Sequence, residues 1–312
     1  MPSSILSATL LTIAHLAAAL LVPPMLLGVI AKVRAWFAGR KGPPLIQAYR
    51  NIAKLMRKQI ILNDCATWVF LAAPAASAGA GIAAALVTPM GGASAPLGFA
   101  GDMVLVAGLF GIARFMAILA ALDTGGPFGG MGAAREATWA ILAEPALFLG
   151  LAALAYHSKE LSLGPAFFKA GATWGEASGP FILVLAGWMI VFLAENSRMP
   201  FNDPASQQEL GMAHGAMTLD HSGPPLAFAI YGAGLKLMVL GTFLVRLCLP
   251  LSTKWWIDWP AYFGGLALLA AAVGAIESCM ARLKLVRTPQ LLVVAGIACT
   301  FGFLLMFLQP LQ

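Results

Sequence analysis

The chain has 312 residues, 60% of them hydrophobic and 10% charged, with a mean hydropathy of +0.85 and a formal net charge of +6. A soluble domain is roughly 45–50% apolar and about 25% charged, so this composition excludes a soluble enzyme, a disordered chain and a small disulfide scaffold. It points to a polytopic membrane protein, whose charge excess speaks first about topology, and no basic patch with interleaved aromatics suggests nucleic acid.

The first apolar run, Ile5 to Ile30, lacks a basic leader and is too long for a signal-peptide core of about 7–15 residues. It reads as the first spanning helix. About 20 mostly apolar residues make a span, and eight windows qualify: Ser4–Ile30, Cys65–Thr88, Asp102–Leu122, Glu136–Tyr156, Pro180–Glu195, Leu226–Leu249, Pro260–Ala281 and Pro289–Leu308. The expectation is an all-α, polytopic membrane protein with a single transmembrane domain over 1–312.

Lys and Arg distribute unevenly between the loops. The first loop holds eight: Lys32, Arg34, Arg40, Lys41, Arg50, Lys54, Arg57 and Lys58. Arg135, Arg198, Arg282, Lys284 and Arg287 bring the odd loops to thirteen, against three (Lys159, Lys169, Lys254) in the even ones. By the positive-inside rule the odd loops, at about 31–64, 123–135, 196–225 and 282–288, face the cytoplasm and both termini lie outside. Trp174, Trp255, Trp256 and Trp259 in the outer loops read as interfacial anchors.

Within the first loop, Gly42-Pro43-Pro44 breaks the chain before an amphipathic segment. Leu45, Ile46, Tyr49, Ile52, Ala53 and Met56 fall on one side, and Arg50, Lys54, Arg57 and Lys58 on another. This fits an in-plane helix held at anionic headgroups and also a docking face for a soluble partner. The Gly-rich stretch GGPFGGMG at 125–132 lacks the Lys-Ser/Thr of a phosphate loop and reads as a flexible turn. The fifth loop is the chemically dense one. From Glu195 to Pro225 it holds Glu195, Asp203, Glu209 and Asp220 together with His214 and His221. Asp203-Pro204 looks like an N-cap and first helical residue, opening a helix to about Leu219. Its simplest alternative makes Asp203 only a cap and Arg198 only a partner of Glu195.

Four ionisable residues, Arg114, Glu144, Lys236 and Glu277, sit well inside apolar runs, where charge is costly and usually faces a bundle interior or wet path. Carboxylates alternating with Lys or Arg can pass protons, because each neighbour shifts the other; static ion pairs fixing the helices are the alternative. Cys65, Cys248, Cys279 and Cys299 form no CxxC pair and read as buried, inert thiols. No metal site is expected, since His214, His221 and Asp220 lack a compact ligand spacing.

Three stretches carry a resemblance: GRKGPPLIQAYRNIAKLMRK at 39–58, AREATWAILAEP at 134–145, and ENSRMPFNDPASQQELGMAHGAMTLDHSGPPLAF at 195–228. The chain resembles the quinone-site membrane subunit of respiratory complex I and its counterpart in the group 4 energy-converting [NiFe]-hydrogenases, which form one family. LDHSGP at 219–224 is similar to the formate hydrogenlyase and hydrogenase-4 branch. The resemblance implies eight spans beneath a peripheral arm, with antiporter-like membrane subunits as neighbours. It implies no cofactor on this chain: the iron–sulfur clusters, and a [NiFe] centre, belong to partner subunits, and a quinone is allowed. It puts Glu144, Glu195, Asp203, Glu209 and Asp220 at matching motif positions, and these, with His214 of the fifth loop and Lys236 and Glu277 of the spans, are the proton-path candidates. Partner docking or a quinone cavity would fall to Arg40, Lys41, Arg50, Lys54, Arg57, Lys58, Arg135, Arg198 and Phe201. Hydrogenase relatives typically carry acids where this chain has Asn202 and Gly215.

Overall fold

The computed structural model describes residues 2–63, 65–91, 95–175, 177–201, 214–249, 255–280 and 287–308. Among them there are eleven helices and no strand. Eight are long and apolar enough to span a bilayer: α1 (Pro2–Phe37), α3 (Trp68–Val87), α4 (Asp102–Asp123), α5 (Pro127–Ser158), α7 (Ser178–Glu195), α9 (Gly223–Cys248), α10 (Trp255–Cys279) and α11 (Thr288–Leu308). Three are short: α2 (Gln47–Met56), α6 (Leu163–Ala172) and α8 (His214–Thr218). The eight expected windows correspond one to one with the long helices, and α2 is the amphipathic segment of the first loop. Helix α6, inside a loop expected to be a plain connector, is new.

Two boundaries differ from expectation, each for a local reason. Helix α1 runs on past Ile30 through Lys32 and Arg34, and ends where Gly39 takes a left-handed backbone (φ 69). The amides of Gly39 and Arg40 reach back to the carbonyls of Trp36 and Ala35, closing the last turn. Most of the Gly-rich stretch is not a turn. Only 124–126 connects α4 to α5; Pro127 occupies the first turn of α5, where its fixed φ suits a helix start. Gly129 then allows close approach to α4, since a Cβ there would lie 2.7 Å from the Ala121 carbonyl oxygen.

Lipid is as apolar as leucine, so the helices hold together by close packing and polar contacts rather than by hydrophobic exclusion. The packing residues are accordingly small: Ala73, Ala84, Ala85, Ala146, Ala153 and Ala295 are fully buried. A Cβ on Gly187 of α7 would meet Cys299 Sγ of α11 at 2.5 Å. Helix α11 packs against both α5 and α7, α3 against α4 and α9, and α1 against α9 and α10.

Hydrogen bonds and close contacts bring described parts of the first, third and fifth connections together at one end of the bundle. Asp123 at the end of α4 accepts from Thr67 N and Oγ1, Ile61 N donates to Ser222 Oγ, and Gly223 lies against the carbonyls of Lys58 and Gln59. At the opposite end Asp102 accepts from Leu163 N at 2.7 Å and Ser162 Oγ at 3.0 Å, tying α6 to α4. Trp259 lies over Gly91, and Trp174 stacks on Phe181 at 5.3 Å. These two tryptophans, expected as interfacial anchors, serve packing; Trp256 is 58% exposed. Of the cysteines only Cys299 is buried, whereas Cys65, Cys248 and Cys279 are exposed, because they sit outside or at the ends of spans.

Helix α1 contains Pro23 and Pro24. Proline has no amide hydrogen, so Pro24 leaves the Leu20 carbonyl without its partner in the helix ladder. The Tyr231 hydroxyl of α9 donates to it at 3.1 Å, and the Tyr49 hydroxyl of α2 donates to the neighbouring Leu21 carbonyl. This satisfies the backbone where lipid could not.

Candidate functional site: a charged chain beside a buried cavity

The site is built around Arg114, just past the middle of α4, with its side chain 5% exposed. A lone guanidinium inside a span would be prohibitive, so it gathers acids. It binds Glu195 at the end of α7 and Glu144 in α5, and lies 3.7 Å from Glu136 one helical stretch earlier in α5. The far oxygen of Glu195 takes the ammonium of Lys236, from the middle of α9, at 2.6 Å. Four helices thus converge on five charges, and three carboxylates share two cations.

Glu195 reaches this position because α7 stops there. Ser197 adopts a left-handed backbone (φ 49), and the amides of Ser197 and Arg198 turn back onto the carbonyls of Ala194 and Leu193. That reversal is the usual helix stop with serine where glycine is commoner. It sends Arg198 away from Glu195 and toward α10, where it binds Glu277 at 3.1 Å. Arg34 at the end of α1 is 3.8 Å from the same carboxylate. The sequence pairing of Arg198 with Glu195 is therefore replaced: Glu195 belongs to Arg114 and Lys236, and Arg198 belongs to Glu277.

A cavity of about 90 Å³ borders the chain, lined by Arg114, Glu136, Glu195, Lys236, His214 and His221 among others. Several waters fit in that volume. Glu136 Oε2 and His221 Nδ1 are buried without a protein hydrogen-bond partner among the described residues, and both residues line this space. Polar atoms of this kind are ordinarily met by ordered water. Burial, with the charges of Lys236 and Arg198, pushes His214 down to about 4, so it is neutral at pH 7. Burial also lowers His221, against the opposing pull of Asp220; its ring stacks on Phe70 at 4.1 Å. Helix α8 stops at Thr218, so His221 joins His214 and Met217 at the cavity through a turn, not along one helix face.

Not every expected residue converges. Glu144, Glu195 and Lys236 join the chain, and His214 lines its cavity. Glu277 forms a separate cluster, and Asp220 is exposed beside Gly126. Asp203 and Glu209, with most of the helix expected after Pro204, lie outside the described residues. Phe201, expected at a docking surface or cavity, is 1% exposed and packs edge-on against Trp139, so it serves the interior. Arg198 is likewise committed within the chain, and Arg135 is half-buried. Arg40, Lys41, Arg50, Lys54, Arg57 and Lys58 are all exposed. Glu136 is the member that sequence reading missed. It stood at the predicted edge of the fourth span, where a charge attracts no notice; the true helix starts nine residues earlier and carries it inside. No cluster of three or more His, Cys, Asp or Glu placed to hold a metal occurs among the described residues.

Comparison with known proteins places the chain. Residues 9–308 match the family model described as NADH dehydrogenase. The chain is 30% identical to formate hydrogenlyase subunit 4 of Escherichia coli K12, over 86% of this chain and 89% of that one. It is 32% identical to hydrogenase-4 component C of the same organism, covering 74% and 72%. A more distant relative is an NADH-quinone oxidoreductase subunit of Rubrobacter xylanophilus, 28% identical over 62% of this chain and 60% of that one. The fold is similar to that of a chain in the membrane-bound sulfane sulfur reductase, an archaeal respiratory membrane complex. The TM-score there is 0.76 at 21% identity, covering 95% of this chain and 99% of the other. On the match across nearly its whole length, the chain belongs to the NADH dehydrogenase family of complex I-like membrane subunits.

Proposed function

We propose that this chain is the membrane subunit of an energy-converting complex of the hydrogenase and formate hydrogenlyase type, and that it couples electron transfer in a soluble arm to proton movement in the membrane. The observation that carries this is the cluster around Arg114. Three carboxylates share two cations beside a cavity with room for water, so a proton added to or removed from one acid changes the balance for all. Protons enter from the end bearing the odd loops, past His214. They are held on Glu195 and Glu136, and leave sideways through Glu144.

The position of Glu144 supports that exit. Its side chain is 41% exposed although it lies in the middle of α5 and bonds to Arg114. An ionisable group facing hydrocarbon is costly, so a neighbouring membrane subunit of the antiporter-like kind covers it in the complex. The odd loops face the cytoplasm of a prokaryotic inner membrane, by their excess of Lys and Arg, and carry the arm with its iron–sulfur clusters and [NiFe] centre. A quinone-reducing arm is the second reading. The relative from Rubrobacter xylanophilus, named as part of an NADH-quinone oxidoreductase, favours it.

The test is to purify the complex from native membranes in mild detergent and to identify its large soluble partner. Two CxxC pairs there, the thiolates of a nickel–iron centre, are expected; their absence overturns the hydrogenase reading in favour of quinone. In vesicles of the same complex, Glu144→Gln should lower proton transport while the complex still assembles. Full transport by that variant would leave static helix packing as the better account of the cluster.

A further inference from the structure

Helix α2 has an apolar side, packed on the bundle, and a cationic one. Tyr49, Ile52 and Leu55 are half-buried, and Tyr49 reaches the Leu21 carbonyl of α1. Just before the helix, the Leu45 carbonyl lies against Gly28, so closely that a Cβ there would collide with it. The helix therefore lies along residues 21–28 of α1, several residues short of that helix's end at Phe37, at the depth where apolar span gives way to charge. Apolar side chains are also exposed at both ends of the helix: Ile46 at 58% just before it, Met56 at 47% in its last turn, and Ile60, Ile61 and Leu62 beyond it. The other side is cationic and exposed: Arg50, Lys54, Arg57 and Lys58.

Among the described residues these cations meet no acid. Residues 32–63 contain no Asp or Glu at all. None of the four makes an ion pair with a described residue, in contrast to Arg34, Arg114, Arg198 and Arg246. A cationic side exposed along the helix, with exposed apolar side chains at both of its ends, on a helix lying at the edge of the spans, is the pattern of an in-plane helix at a lipid interface. A docking face for a soluble partner would not place Ile46, Met56 and Ile61 alongside the cations at this depth.

We infer that α2 is a binding site for the headgroups of anionic phospholipids of the surrounding bilayer. Ile46, Met56 and Ile61 enter the acyl region, while Arg50, Lys54, Arg57 and Lys58 take the phosphates. Tyr49 and the Leu45–Gly28 contact hold the helix at that depth. This assignment is independent of which redox arm the complex carries. It concerns the lipid contact of α2, not the Arg114 cluster, so either can fail alone.

The test uses the whole complex in nanodiscs of phosphatidylcholine alone and of phosphatidylcholine with about one third phosphatidylglycerol. Amide exchange is followed over residues 45–58. Protection should rise with the anionic lipid, by roughly fivefold for each cation engaged, and the rise should shrink in high salt. The variant R50Q/K54Q/R57Q/K58Q should lose the lipid response and co-purify with less phosphatidylglycerol. Equal protection in both lipids overturns the inference, as does protection that follows the presence of the soluble arm instead of the lipid. If the variant does not assemble, the wild-type comparison in two lipids and two salt concentrations decides.

Discussion

Two buried arginines, one in the last turn of α9 and one in the middle of α4, show what the same side chain can be made to do. Arg246 of α9 is 1% exposed and meets one acid, Asp258 of α10, through two parallel bonds of 3.1 and 2.9 Å. The Tyr262 ring lies beneath its guanidinium at 4.9 Å, and the Tyr262 hydroxyl bonds Thr242 at 2.8 Å. Arg114 meets three acids, borders a cavity, and ends on a carboxylate that faces out of the bundle. One charge with one partner in a sealed setting is a clamp, fixing the α9–α10 hairpin. An uneven set of charges beside wettable space can exchange a proton without unfolding its surroundings. The contrast lies in the count of partners and their access to water, not in burial, which is nearly equal.

The comparison can be broken most forcefully at the clamp. Asp258→Ala leaves a guanidinium buried with its main partner gone, which costs about 3–5 kcal/mol, and recovery of the monodisperse complex should collapse. Arg246→Met with Asp258→Leu should restore most of it, because replacing both charges by packed apolar groups is often neutral. Failure of that rescue would mean the pair does more than hold two helices.

Glu195→Gln tests the other side. The amide keeps the shape and much of the hydrogen bonding, so assembly should survive. Proton transport per electron pair should fall by roughly a hundredfold, the low end for losing a positioned proton-transfer group. Equal losses in assembly and transport would make this cluster a second clamp. A smaller effect is expected from Tyr262→Phe, about 1 kcal/mol for one neutral hydrogen bond, read as a drop of a few degrees in melting temperature. Thr242 would still donate to the Met238 carbonyl at 2.8 Å, and the ring would still face Arg246; activity should not change.

The finest test is a pH profile. His214 is held down to about 4, whereas in an unfolded chain it takes its proton near 6.5. The unfolded state then binds more protons between those values, so stability falls as the pH drops through that window and loses nothing further from this group below it. His214→Gln should flatten the fall in melting temperature between about pH 7 and pH 5. An unchanged slope would show that His214 is not buried among the positive charges of Lys236 and Arg198.

The spans were legible because hydrocarbon imposes a length and a composition that a single sequence displays. Helix α2 was legible for the same reason, its cations recurring at helical spacing. The misplaced start of α5 was not: glycine usually signals a turn, and here Gly129 serves a helix crossing that only the folded chain reveals. At the site, Arg114, Glu144 and Lys236 stood out as charges in apolar runs. Their partnership did not, since Arg114 and Glu195 are 81 residues apart and nothing local links them. Arg198, close to Glu195 in sequence, suggested the wrong pair because the reversal at Ser197 cannot be read from residue type.

The two prolines of α1 bear on how the molecule is made. Helix α1 is synthesised before α9, yet the gap that Pro24 leaves in its hydrogen-bond ladder is closed by the hydroxyl of Tyr231, 211 residues later. Until α9 has been inserted, the Leu20 carbonyl must make do with whatever passing water or polar group it finds. Helix α1 is therefore complete only once a segment made much later has packed against it.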